Sequence, residues 1–136
     1  MTDEILKKWL IRAFEDYRTI ENEFKLSKKE VVTSSVCFHA QQFVEKLLKA
    51  YLSNNGIEFG RTHNLEFLLQ LCKNIDDNFK NIDTKNLSYY AVELRYPDEF
   101  YIPTYDEAKE CFELAKKAKD FILEKLNVIE KDLKSK

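Results

Sequence analysis

Between Ser34 and Gly56 the chain reads SSVCFHAQQFVEKLLKAYLSNNG, and its apolar residues recur with the period of a helix. Val36, Ala40, Phe43, Leu47 and Tyr51 follow one another at spacings of three and four, which lays one continuous apolar stripe along the helix. Val44 and Leu48 widen that stripe, as a helix enclosed by several neighbours requires. Gly56 follows Asn54 and Asn55 and supplies the residue best able to take the left-handed conformation that ends a helix. The other face carries His39, Gln42, Glu45, Lys46 and Lys49. Periodicity leaves two readings of that face open: a tight cluster of hydrogen-bonding groups that organises a site, or wetted surface.

Only two glycines and two prolines occur in 136 residues, so sharp turns are scarce and a sheet-rich fold is disfavoured. The length suits a single domain spanning 1–136, one that buries roughly two thirds of the surface its unfolded chain exposes. With 44% hydrophobic and 34% charged residues, the composition is that of a globular chain and not of a disordered one. Lysine and arginine total 22 against 24 acids, a net charge of −2 that gives no general invitation to nucleic acid or membrane. Cys37, Cys72 and Cys111 are odd in number and widely spaced, and no secretory signal opens the sequence, so reduced thiols in the cytoplasm are expected. No apolar run approaches the length that spans a bilayer.

Taken in order, the first helix is expected over 3–24, with Leu6, Leu10, Ala13, Tyr17, Ile20 and Phe24 buried and Trp9 and Phe14 beside them. Residues 25–33 read as a polar connection or a fraying helix end. After the helix described above, Thr62 is expected to cap a short third helix from His63 to Asn74, with Glu66 completing the cap. Leu65, Leu68, Leu69 and Cys72 face inward there, and one further turn is expected at Asp77–Asn81. A helix from Asp83 or Thr84 carries Leu87, Tyr90, Ala91 and Leu94 and stops by Tyr96, because Pro97 disfavours a helical residue before it. Thr104 and Glu107 form a capping box for the last helix, whose core positions are Ala108, Cys111, Phe112, Ala115, Ile122 and Leu126. The tail over 130–136 is expected to fray. The fold class is therefore all-α, an up-and-down antiparallel four-helix bundle with an additional short helix.

Chemistry-bearing motifs are few. Cys37 and His39 stand two apart and so occupy different faces of one helix, and no other pair has ligand spacing; no metal or cofactor is expected. Phosphate-cradling glycine loops and nucleophile elbows are missing. The segment from Tyr89 to Tyr105 is richer, with six aromatic residues and Arg95 near its middle. Arg95 can hold a phosphate bidentately while Tyr96, Phe100 or Tyr101 stack on a base. Equally, those rings can pack the segment onto the bundle or form a dimer face, with Arg95 paired to a carboxylate such as Glu45.

Four ordered segments, FHAQQFVEKLLKAYL, THNLEFLL, ELRYPDEF and TYDEAKECFELAKKA, resemble the HEPN domain family, small all-helical domains named for nucleotide binding in higher eukaryotes and prokaryotes. The resemblance runs from about Ala13 and Asp16 to Leu126. It implies a bundle often assembled as a homodimer and frequently partnered by a minimal nucleotidyltransferase in toxin–antitoxin modules. It also implies, for many members, a metal-independent ribonuclease whose motif is an arginine followed four to six residues later by a histidine. In that motif the histidine assists attack by the RNA 2′-hydroxyl and the arginine steadies the phosphate.

Arg95 keeps the first half of that motif within RYPD, but Phe100, Tyr101 and Ile102 stand where a histidine is permitted. A tyrosine, with an ordinary pKa of about 10, is a poor base at neutral pH. The residues therefore suggest a nucleotide-, RNA- or partner-binding HEPN protein with a degenerate ribonuclease motif. Arg95 and Tyr101 are its nominal catalytic pair, and His39, Gln42, Glu45, Lys46, Tyr96 and Asp98 line or support the pocket. Two alternatives stand beside it: an active ribonuclease toxin with a displaced base, for which His39 and His63 are the available imidazoles, and a purely protein-binding module.

Overall fold

A computed structural model of the chain describes residues 2–85, 87–89 and 101–131. Regular structure among them is entirely helical. Helix α1 spans Thr2–Glu23, α2 Thr33–Asn54, α3 Leu65–Ile75 and α4 Tyr105–Leu126, with single 3₁₀ turns at Lys28–Glu30 and Asp77–Asn81. Helical backbone also occurs at residues 85 and 87–89, where the sequence puts the start of the remaining long helix. Tyr90, Ala91 and Leu94, expected on that helix, lie outside the described residues.

α2 is the organising element. Thirteen of its 22 residues are buried, more than a one-sided amphipathic helix would hide. Val36, Ala40, Phe43, Val44, Leu47, Leu48 and Tyr51 are all among them, as the periodicity requires. Complete burial of a side chain such as Phe43 or Leu47 is worth about 1.5–3 kcal/mol, so this face dominates the packing energy. Tyr17 meets Phe43 at 4.9 Å and Phe112 at 5.4 Å between ring centroids, joining α1, α2 and α4 in one aromatic cluster.

Pairings along the helices give their directions. On α1, Trp9 lies beside Lys49 and Tyr17 beside Phe43, so α1 and α2 are antiparallel. Phe24 touches Tyr105 while Tyr17 touches Phe112, so α1 and α4 are antiparallel too. α2 and α4 therefore point the same way, the alternation of an up-and-down bundle.

Local chemistry sets the helix ends. Gly56 takes a φ of +71°, and the N–H groups of Ile57 and Gly56 bond the carbonyls of Leu52 and Ser53, closing α2 in a Schellman arrangement. Asn127, at φ +58°, closes α4 in the same manner through Val128 N–H to Leu123 O. The Thr104–Glu107 capping box opens α4 as expected. No side chain at its own N-cap serves α2; instead the Glu23 carboxylate, from the last turn of α1, accepts the Val32 N–H at 2.7 Å.

Two local details differ from expectation. Asn64, not Thr62, caps α3 by accepting the Phe67 N–H at 2.9 Å, so that helix begins at Leu65. Glu66 does not complete a cap but accepts from the hydroxyls of Thr84 and Ser88. In the polar stretch around Asp77–Asn81, Phe79 is fully buried between Tyr51 and Phe121, with centroids 4.5 and 5.0 Å away. Cys37, Cys72 and Cys111 are free and buried, as small core residues; burial pushes the Cys72 thiol up to about 12. No helix among the described residues is long and apolar enough to cross a membrane.

Candidate functional site

Two ionic clusters occupy the polar face of α2. The first is centred on Asp16, which sits on α1 between Ala13 and Ile20 and is almost fully buried. Its Oδ1 lies 2.7 Å from His39 Nδ1 and its Oδ2 lies 2.7 Å from Lys46 Nζ. His39 and Lys46 stand seven residues apart on α2, two turns, which brings both onto the face that meets α1.

An ionised carboxylate only accepts hydrogen bonds, so the bond to Asp16 requires the proton on His39 Nδ1. In the neutral ring Nε2 then carries the free lone pair, and the ring, about a quarter exposed, is fixed in orientation. Such an imidazole can accept a proton from a bound hydroxyl or, once charged, donate to an anion. Phe38, exposed on the same helix, sets its ring edge-on to His39 at 5.2 Å.

The second cluster is centred on Glu45, only 2% exposed. Its Oε2 accepts from Lys49 Nζ at 3.0 Å and from His63 Nδ1 at 2.8 Å, and its Oε1 accepts from Gln41 Nε2 at 3.3 Å. Gln42 Nε2 in turn donates to Gln41 Oε1 at 3.3 Å. Lys49, itself buried, lies 5.8 Å from the Trp9 ring centroid and 5.7 Å from that of Phe59. Lys49 thus neutralises Glu45 while its charge rests against two aromatic faces. His63, two-thirds exposed, ties the loop before α3 to this buried carboxylate.

Of the residues singled out by sequence, His39 and Lys46 thus meet at Asp16, whereas Gln42 and Glu45 belong to the neighbouring network through Gln41. Tyr101 bonds at the start of α4. Its phenol donates to Glu107, the carboxylate that also accepts the Thr104 N–H at 2.9 Å in the capping box of α4. That bond, which favours the protonated phenol, pushes Tyr101 up to about 12. Arg95, Tyr96 and Asp98 lie outside the described residues.

The sequence placed Lys49 on the polar face of α2 but singled out neither Asp16 nor Gln41 for the site, although each carried a signal. Asp16 stands three residues after Ala13 and four before Ile20, and Gln41 stands three before Val44 and seven before Leu48, so both border the apolar stripes. A polar side chain at a position that periodicity assigns to the interior demands a partner.

The family model for the HEPN domain matches residues 6–126, nearly the whole chain. No curated protein and no solved structure matches it.

Proposed function

The chain belongs to the HEPN domain family, and on that basis we propose that it binds a nucleotide or single-stranded RNA through Arg95 without cleaving it efficiently. The family match supports a role connected with nucleotides or RNA. The finer reading rests on one observation. Tyr101 stands where the family's motif calls for a histidine, and its phenol is committed to Glu107 with a pKa raised to about 12. A phenol that holds its proton so firmly is no general base near neutrality. Arg95 is then left to grip negative charge, with Tyr96 and Asp98 beside it in sequence and His39, Gln42, Glu45 and Lys46 as the supporting polar face. A homodimer, and a minimal nucleotidyltransferase as partner in a toxin–antitoxin-like module, fit this reading by family analogy.

The test separates binding from stability. Arg95→Ala is expected to weaken binding of a short single-stranded RNA, followed by fluorescence anisotropy, at least tenfold while shifting the melting temperature by no more than a few degrees. Parallel losses in both would make Arg95 a structural residue and end the proposal.

A second reading, an active ribonuclease with a displaced base, draws support from a different observation. Asp16 fixes His39 through Nδ1, and among the described residues Nε2 has no partner, the arrangement a proton-transfer imidazole needs. Under that reading His39 takes the 2′-hydroxyl proton, the 2′-oxygen attacks phosphorus to close a 2′,3′-cyclic phosphate, and the bond to the 5′-oxygen breaks, that oxygen taking a proton from water to leave as a 5′-hydroxyl.

A further inference from the structure

Where the end of α1 meets the first turns of α4, three aromatic rings surround an open slot of about 120 Å³. Phe24 stacks on Phe112 with centroids 5.4 Å apart and meets Tyr105 edge-on at 5.9 Å. All three rings are only partly buried. Phe112 reaches the core through Tyr17, whereas among the described residues Tyr105 has its ring contact with Phe24 and is flanked by two cations.

Those cations are the second half of the observation. Lys28 lies 5.2 Å and Lys109 5.9 Å from the Tyr105 centroid, and Lys116 lies 4.4 Å from that of Phe112. They come from two separate segments, the 3₁₀ turn after α1 and the outer face of α4, and converge on the same rings. Among the described residues one acid, Glu113, lines the slot, and Lys116 already faces it at 3.4 Å. Among the described residues the lining therefore holds two ammonium groups, Lys109 and Lys116, against one carboxylate, with Lys28 beside the Tyr105 ring as a third cation, in a chain whose net charge is −2. Exposed cation–π contacts are weak, and lysine stems are flexible, so a flat ligand can displace the ammonium groups from the ring faces while keeping them nearby.

We propose that this slot binds a nucleobase of a phosphate-bearing ligand, the base lying on Tyr105 beside Phe24 and Phe112 and its phosphates meeting Lys28 and Lys109. An aromatic platform rimmed by lysines is the arrangement that holds single-stranded nucleic acid, because every base offers a π face and every linkage a negative charge. The site uses none of residues 90–100, so it goes beyond the Arg95 reading and stands or falls separately from it.

The experiment uses the full chain and a hexameric single-stranded RNA containing one 2-aminopurine, with the 2-aminopurine riboside 5′-monophosphate as a second probe. Stacking on Tyr105 is expected to quench the fluorophore in the wild type and in Tyr105→Phe, and not in Tyr105→Leu. Lys28→Glu with Lys109→Glu, at exposed positions that leave the fold intact, is expected to raise Kd roughly tenfold. It should also reduce the slope of log K against log salt by about 0.7 for each phosphate contact removed. Quenching of both probes identifies a free nucleotide as sufficient ligand; quenching of the hexamer alone identifies a strand. At saturating protein, Arg95→Ala is expected to retain the quenching even where its affinity for the strand falls. If the lysine double variant binds as the wild type does, or if Tyr105→Leu quenches undiminished, the slot is ordinary surface and the proposal is overturned. Loss of quenching in Arg95→Ala alone, with slot variants unaffected, would overturn it as well while sustaining the Arg95 reading.

Discussion

Asp16 Oδ1 and His39 Nδ1 lie 2.7 Å apart, and the other oxygen of the same carboxylate lies 2.7 Å from Lys46 Nζ. One buried acid on α1 thus fixes both the ring orientation of a histidine and the position of a lysine on α2. Asp16→Ala should cost about 2 kcal/mol, below the range for a fully enclosed pair because Lys46 can reach water. Urea unfolding measures that loss. Nitrogen-15 NMR of the imidazole supplies the sharper check: neutral His39 is expected as the Nδ1–H tautomer in the wild type and no longer so in Asp16→Ala. An unchanged tautomer would mean that Asp16 does not hold the ring.

Glu45 behaves differently from its exposed partner. Glu45→Gln leaves the Lys49 ammonium buried without its countercharge and should cost about 3 kcal/mol. His63→Ala removes a bond to the same oxygen, but His63 is two-thirds exposed, and the cost should stay under about 1 kcal/mol. Equal effects in chemical denaturation would contradict the division into a buried core pair and a surface tether.

Phe79 supplies a packing test. It is fully buried between Tyr51 and Phe121 although it sits in a single 3₁₀ turn, so Phe79→Ala should destabilise the fold by about 4 kcal/mol. A loss under about 1 kcal/mol would show that the turn is not anchored through this ring.

The Asp76–Lys125 pair predicts a pH dependence. Lys125 Nζ lies 2.7 Å from Asp76 Oδ2; this bond, with the Asn78 N–H, holds the Asp76 carboxyl below its ordinary 3.8, while Asp76 raises Lys125 above 10.5. A depressed acid contributes stability that is complete above its unfolded value and is lost as pH falls through the lower folded one. For the raised lysine the contribution is complete below 10.5 and is lost as pH climbs through the higher folded value. Lys125→Met should therefore differ from the wild type by a constant amount between about pH 5 and 9, with the gap closing in acid below 3.8. Urea midpoints across that range test it, and a gap that persists to pH 2 would contradict the pairing.

Much of the framework was legible because it is local. The α2 stripe, its end at Gly56 and the Thr104–Glu107 box depend on residues a few positions apart, and each appears where the spacing puts it. The N-cap of α3 was not legible, since Thr62 and Asn64 are both competent caps. In the fold the Thr62 hydroxyl accepts the Asn64 N–H at 3.0 Å, leaving Asn64 to cap the helix, while His63 between them reaches Glu45 on another element. The same limit hid the polar clusters. His39, Glu45 and Lys46 were visible as one face of a helix, but their division into two networks is decided by Asp16 arriving from α1 and by Trp9 and Phe59 closing over Lys49. Burial of Phe79 could not be read from the polar residues around it, because one aromatic side chain outweighs a turn's worth of solvated neighbours only once a cavity exists to receive it.

The proposal that Arg95 binds without an effective base is tested most directly by incubating the purified protein with end-labelled single-stranded RNA in EDTA and resolving the products on a gel. The account predicts RNA that is bound, through Arg95, and intact after hours. Cleavage to products bearing a 2′,3′-cyclic phosphate, abolished by Arg95→Ala and by His39→Ala but not by Lys134→Ala, would contradict it and make this chain a ribonuclease whose histidine has moved to α2.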